Sequence, residues 1–348
     1  MSSPEVIIYG ASGYTGKLIA WHLAERGIPF IAAGRSKKTL EKEMKLVPEL
    51  KGHEYECVEV DLERKALAAL FKGKKVVYNV VGPFMQLSEP VVQACLDAEV
   101  HYLDTTGEQD WMLMLEKEYG PKFKKKDLLL CPANAFMWTA GNIAAELALE
   151  TPGIDTLDIL YIADSATSEA STMSFLRMCC RDQYYLKNNK LEVWPHTKAY
   201  PVVVPGDHQV YNSLPWSGSG EVTWYRKDKR VRNCQVKVAF KNADVMDWVI
   251  GRITEWYETL RDLPRAEQEK VTNEWGNSLV SEEPPREDMD ENRSQISCHA
   301  RGRTESVTVV LRGSCPYIQA GVWSAEGIQR ILQGQLRAVG YASPCKAF

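Results

Sequence analysis

The rhythm of hydrophobic and polar positions changes once along this chain. Over roughly the first third, short apolar runs alternate with amphipathic segments. Val6-Ile7-Ile8 is uninterrupted by polar residues, as in a strand buried on both faces. Leu18, Ile19, Trp21, His22 and Leu23 then recur at helical spacing. The strand signal returns at Phe30-Ile31-Ala32-Ala33 and at residues 55–60, 76–81, 100–103 and 128–131, with helical patterns at 39–50, 63–71 and 89–98, the last behind Ser88 as its expected cap. Strands alternating with helices predict a parallel sheet covered on both faces.

Beyond residue 138 the alternation stops. The pattern predicts helices at 139–150, 169–185, 244–263 and 325–339 and a strand at 156–163. Short extended pieces fill 191–204, broken by prolines, and 206–220 reads as loop. Residues 282–292 read as an acidic exposed loop. Residues 294–301 and 305–312 alternate and face each other across Gly302-Arg303 as a hairpin. This half is expected to be α+β with an antiparallel sheet.

The junction of the first strand and helix carries the clearest chemistry. Gly10-Ala-Ser-Gly13-Tyr-Thr-Gly16 lies between them. Gly10 would allow the tight turn, Gly13 a close approach of backbone to a pyrophosphate, and Gly16 close packing of helix on strand. The helix N-terminus offers unpaired N–H groups to a phosphate. The second strand ends in Gly34-Arg35-Ser36-Lys37-Lys38, without the acid that would accept from a ribose 2′-hydroxyl about 20 residues past the glycines. Arg35, Ser36 and Lys38 suit a 2′-phosphate, so NADP(H) is expected over NAD(H). Asp61, at the third strand's end, would hold the adenine amino group or else cap the next helix. The fourth strand runs into Gly82-Pro83-Phe84-Met85, at the edge where ligands sit in open α/β sheets.

Composition narrows the partners. A length of 348 residues favours two domains, and a net charge of −4 gives no reason to expect nucleic acid. No apolar stretch reaches spanning length and no signal-peptide core opens the chain. Nine cysteines without repeated spacing, and no CxxC or HxxxH pair, argue against a disulfide framework or a metal and for a reducing, cytoplasmic setting.

With GASGYTGKL, AAGRS, NVVGPF, EPVVQACLDAEVHYLDTTGE and the late RTESVTVVLRG in view, the chain resembles the saccharopine dehydrogenase-like oxidoreductases. The resemblance is strong over residues 5–110, diffuse in the middle, and returns near 303–348. The group includes saccharopine reductases that form secondary amines and trans-acting enoyl reductases. It implies a Rossmann-type sheet in which Gly10, Ser12, Gly13, Tyr14 and Thr15 contact the pyrophosphate. Arg35 and Ser36, helped by Lys38, would take the 2′-phosphate, and Asp61 and Leu62 would flank the adenine. Val81, Gly82, Pro83 and Phe84 would lie along the nicotinamide, and Asp104 to Gly107, Thr106 included, would floor the site. Two departures matter. Enoyl-reductase relatives carry GFDS(V/I)PSD where this chain has CPANAFMW at 131–138, so a different substrate is expected. Relatives also continue past the point where this chain ends, with a helix returning to the first domain.

Trp138, Tyr184, Tyr185, Trp194, Tyr200, Tyr211, Trp216 and Trp224 favour an apolar or aromatic substrate over an amino acid, unless they are core. Hydride transfer to a carbonyl-conjugated bond places charge on oxygen, so a donor is wanted. Tyr184-Tyr185 and Lys187 lack the spacing of a YxxxK pair. The candidate donors are Tyr102, Asp104, Glu108 and Asn134, at or near strand ends, beside backbone N–H groups or water. His101 reads as a core or surface residue, and His196 and His208 lie in loops with no partner in the sequence. The expected organisation is an NADP-binding domain at 1–137, a substrate and dimerisation domain at 138–325, and a returning segment at 326–348. The expected activity is NADP(H)-dependent reduction of an enone or carbonyl, with imine reduction on an amino acid, or a non-catalytic scaffold, as alternatives.

Overall fold

A computed structural model describes residues 4–279 and 283–348. It contains two compact units, each taken by itself. The first comprises the chain up to Thr106, Trp111–Thr139 and Tyr317–Phe348; the second comprises Gly107–Asp110 and Ala140–Pro316.

The first unit is built on a parallel sheet. Its strands are β1 (Val6–Tyr9), β2 (Phe30–Gly34), β3 (Tyr55–Glu59), β4 (Val76–Asn79), β5 (His101–Asp104) and β6 (Leu129–Cys131). They lie in the order β3-β2-β1-β4-β5-β6, and a short strand, Gly340–Tyr341, extends the β6 edge to make seven. Val6, Ile7 and Ile8 have no exposed surface. Burying each such side chain contributes about 1.5–3 kcal/mol, which is why the run reads as a central strand. The strand order reverses between β1 and β4, leaving a crevice at their carboxyl ends.

The second unit carries a six-stranded sheet in the order Ser306–Gly313, Ser294–Gly302, Ile154–Ala163, Asn233–Phe240, Tyr184–Lys187, Lys190–Val193. The hairpin at its edge is antiparallel. The sheet is mixed, because Ile154–Ala163 pairs in parallel with Asn233–Phe240. A parallel neighbour needs a long crossover, and the 69 residues between these strands supply it.

Several boundaries differ from the sequence reading. The helix expected at 169–185 ends at Cys179, and Tyr184 and Tyr185 belong to a strand. Tyr184 N–H donates to Gln109 Oε1, so its backbone is drawn out of helical pairing. The 206–220 loop contains a strand, Tyr211–Ser213, paired with Tyr200–Val202. Arg265–Leu279 is a helix where none was expected. The helix expected at 325–339 is Pro316–Leu332, starting nine residues earlier than its apolar pattern suggested, and a short helix, Pro344–Ala347, follows. The acidic loop reading began at Glu282, which lies outside the described residues; those that follow carry no helix or strand up to Ser294.

Candidate functional site: the carboxyl edge of the parallel sheet

The β1 turn is shaped by two close approaches. Gly10 has φ +90°, and a Cβ there would stand 2.7 Å from Val81 Cγ2. A Cβ at Gly16 would stand 2.7 Å from the Ala11 Cα. Larger residues at either place would push the loops at the ends of β1 and β4 apart or lift the helix off its strand. The helix Tyr14–Glu25 begins at Gly13, which supplies no side-chain cap. Such an N-terminus directs its backbone N–H groups and the positive end of its dipole towards an anion. Ser12 and Thr15 are half-buried beside it, and the Tyr14 ring packs edge-on against Tyr317 at 4.9 Å.

At the end of β2, Arg35 is exposed. Ser36 is half-buried and caps the helix Lys37–Lys45, its hydroxyl accepting from Thr39 N. Lys38 is exposed. The basic start of that helix, unfavourable to its dipole, is offset by Glu59, whose Oε2 accepts from Lys37 N at 2.8 Å. Burial raises the Tyr9 pKa; the Arg35 charge pulls it back and the Asp61 charge pushes it up. Asp61 is exposed and caps no helix: Glu63 is the cap of Arg64–Phe71, accepting from Ala66 N. Leu62 packs on the core.

The ends of β4, β5 and β6 are joined by one buried carboxylate. Asp104 Oδ1 accepts from Thr106 N (3.0 Å) and Ala133 N (2.8 Å). Its Oδ2 accepts from Tyr102 OH (2.9 Å) and Trp111 Nε1 (3.0 Å). Burial pushes the Asp104 pKa up, and the four donors oppose that push. Tyr102 OH accepts from Asn79 Nδ2, which also donates to Ser88 Oγ. Ser88 therefore does not use its side chain as a helix cap. Asn134 Nδ2 donates to Trp323 O, while its carbonyl accepts from Tyr78 OH. Val81 and Gly82 are half-buried, Pro83 and Phe84 buried.

The four proposed donors thus divide. Tyr102 and Asp104 have no exposed surface and spend their polar atoms on one another and on loop backbone. Asn134 spends its amide on the helix Pro316–Leu332. These three side chains hold the loops at the ends of β4, β5 and β6 together. Glu108 belongs to the second unit, where it is fully buried: Oε2 lies 2.7 Å from Arg177 and Oε1 accepts from Ser174. Of the histidines, His101 accepts from Leu129 N, with burial lowering its pKa. His196 lies 3.6 Å from Asp182. In the second unit Tyr185, Trp194 and Tyr200 pack on one another, and Trp216 on Phe175 and Phe240, so these aromatics are packing side chains.

Sequence reasoning missed Asn79, Ser88 and Trp111, which hold the edge together, and Glu221 in the second unit. Glu221 is fully buried; Oε1 accepts from Tyr161 OH at 2.7 Å. Oε2 accepts no hydrogen bond of normal geometry among the described residues, although the Ser219 hydroxyl is near enough to ease its burden. Burial pushes its pKa up to about 8.

Comparisons with known proteins divide the chain similarly. Residues 6–125 match the saccharopine dehydrogenase NADP-binding domain, and residues 139–348 match a family of unknown function, DUF5938. The chain is 28% identical over 141 residues to a lipid droplet localized protein of Caenorhabditis elegans, covering 38% of this chain and 33% of that one. It is 28% identical over 145 residues to the mouse saccharopine dehydrogenase-like oxidoreductase, with 38% and 34% covered. It is 33% identical over 107 residues to a trans-acting enoyl reductase of Mycobacterium tuberculosis, with 30% and 25% covered. The chain thus spans about a third or less of the length of these relatives. The residues present fit NADP(H). The Gly10 and Gly16 approaches form a cradle that a Cβ would fill, the helix end is uncapped, and β2 ends in an exposed arginine with no acid.

Proposed function

This chain belongs to the family of unknown function DUF5938 and carries an NADP-binding domain of the saccharopine dehydrogenase kind, and we propose that it is an NADPH-dependent reductase of a fairly apolar small molecule. The bond reduced is a C=C conjugated to a carbonyl, or a C=O. The observation that carries the cofactor side is Arg35, standing exposed where a dinucleotide site otherwise places an acid. The substrate side is supported by two relatives, one named an enoyl reductase and one named for lipid droplets.

When bound, NADPH supplies a hydride. The chain's own part is orientation. Gly10 and Gly13 bring backbone to the pyrophosphate, with Ser12, Tyr14 and Thr15 around it. Arg35 and Ser36 meet the 2′-phosphate, Lys38 adding charge, and Asp61 and Leu62 flank the adenine. Val81 to Phe84 lie along the ring, with Thr106 and Gly107 beyond it. Tyr102 and Asp104 hold that edge rigid. Backbone N–H groups meet the charge that develops on the substrate oxygen, and water completes the product. The chain works as a homodimer in a reducing compartment, consistent with nine free thiols; a sedimentation mass of one chain would remove the dimer. No helix among the described residues is long and apolar enough to cross a membrane.

The test is NADPH consumption against a panel of apolar enones, ketones and aldehydes, with imines of amino acids beside them. Turnover confined to the apolar carbonyl compounds is expected. Turnover of the imines alone would transfer the reading to the saccharopine type. Cofactor binding without any turnover would make the scaffold reading the leading one.

A further inference from the structure

Both polar groups of the Val81 backbone are held by buried side chains. Val81 N donates to Asn79 Oδ1 at 3.1 Å, and Ser88 Oγ donates to Val81 O at 2.9 Å. Asn79 Nδ2 closes the circuit onto Ser88 Oγ at 2.8 Å and reaches Tyr102 OH at 3.1 Å, through which the clamp is tied to Asp104. Asn79, Ser88, Tyr102 and Asp104 have no exposed surface. Four polar groups this deep are costly to desolvate, and apolar side chains of like volume would serve stability as well or better. What the polar set adds is a fixed geometry. It fixes the β4 loop opposite Gly10, where an added Cβ would meet Val81 at 2.7 Å, so Val81 borders the crevice in which the strand order reverses.

We infer that Asn79 and Ser88 are positioning residues for the nicotinamide half of NADP(H), acting by clamping the Val81 peptide groups, with Asp104 and Tyr102 steadying the clamp. The inference rests on the NADP-binding site and is independent of which substrate is reduced. It separates the two halves of the cofactor: the glycine loop and Arg35 serve the adenosine and phosphates, and the clamp serves the ring.

The experiment titrates the full chain with NADPH and, separately, with adenosine 2′,5′-bisphosphate, which lacks the nicotinamide half. Ser88→Ala removes the hydroxyl on Val81 O and is expected to weaken NADPH about tenfold while leaving the bisphosphate within about twofold. Ser88→Thr, which keeps the hydroxyl, restores NADPH binding. Tyr102→Phe, a milder change, shows the same split at smaller size if Ser88→Ala does not fold. Equal weakening of both ligands would mean a general loosening of the fold and would overturn the inference, as would NADPH binding that ignores both variants. Failure of the unaltered chain to bind either ligand would remove the cofactor site and the inference with it. Binding without turnover would sink only the reductase reading.

Discussion

Asp104 in the first unit and Glu221 in the second are both carboxyls without exposed surface, yet the protein solvates them very differently. Asp104 accepts four hydrogen bonds, two from backbone and two from side chains, and these oppose the upward push of burial on its pKa. Glu221 has the Tyr161 hydroxyl on one oxygen and no well-aligned donor on the other, and burial pushes its pKa up to about 8. Burial is the same in both. The number of aimed donors sets how much of its effect is offset. Glu108 shows a third solution, in which a buried guanidinium does the work of the donors.

The largest effect should come from breaking that third solution. Arg177 lies between Glu108 and Asp110 with no exposed surface; burial works against its charge, and the surrounding carboxylates outweigh that and raise its pKa. Arg177→Met leaves Glu108 buried without its cation and should cost about 3–5 kcal/mol in denaturant unfolding. A loss below about 1 kcal/mol would show that the pair does not hold its part of the unit. Next comes Asp104→Asn. An amide cannot accept from both Tyr102 and Trp111 on its nitrogen side, so at least one buried donor is orphaned, at about 2–3 kcal/mol. Unchanged stability would show that the four donors have other partners in solution.

Glu221 sharpens the comparison through pH. Its folded pKa lies above the ordinary 4.5, so the folded chain holds a proton that the unfolded chain has lost. The stability this group confers is full below about 4.5 and falls, by about 1 kcal/mol per unit, as pH rises towards 8. Glu221→Gln should remove that slope, read from unfolding midpoints across the same range. A slope that persists in the variant would assign it to another group.

The fold of the first unit was legible because short strands such as Val6–Tyr9 and Phe30–Gly34 are apolar runs alternating with amphipathic helices, and the glycines sit where close approach demands them. The second unit was less so, for reasons visible in particular residues. The helix Arg265–Leu279 turns Gln268 and Thr272 inward, where Gln268 bonds Trp256 and the carbonyls of Arg261 and Leu263. A helix that buries polar groups leaves no apolar stripe to read. The helix Pro316–Leu332 was seen late because its packed face includes Gly321, Ser324 and Gly327. A Cβ at Gly321 would strike His22 and Leu18, and one at Gly327 would strike Asn134. At the site, Arg35 could be read from a strand end. The Asp104 network could not, since Asn79, Ser88, Trp111 and Ala133 meet only once three loops have folded.

Selection of NADP(H) by the crevice between β1 and β4 is the proposal on which the rest depends, and calorimetric titration of NADPH and NADH into the full chain and into Arg35→Ala tests it most directly. At least about tenfold preference for NADPH is expected in the unaltered chain, lost in the variant with NADH binding unchanged. Equal binding of the two cofactors, or a preference that survives Arg35→Ala, would contradict it.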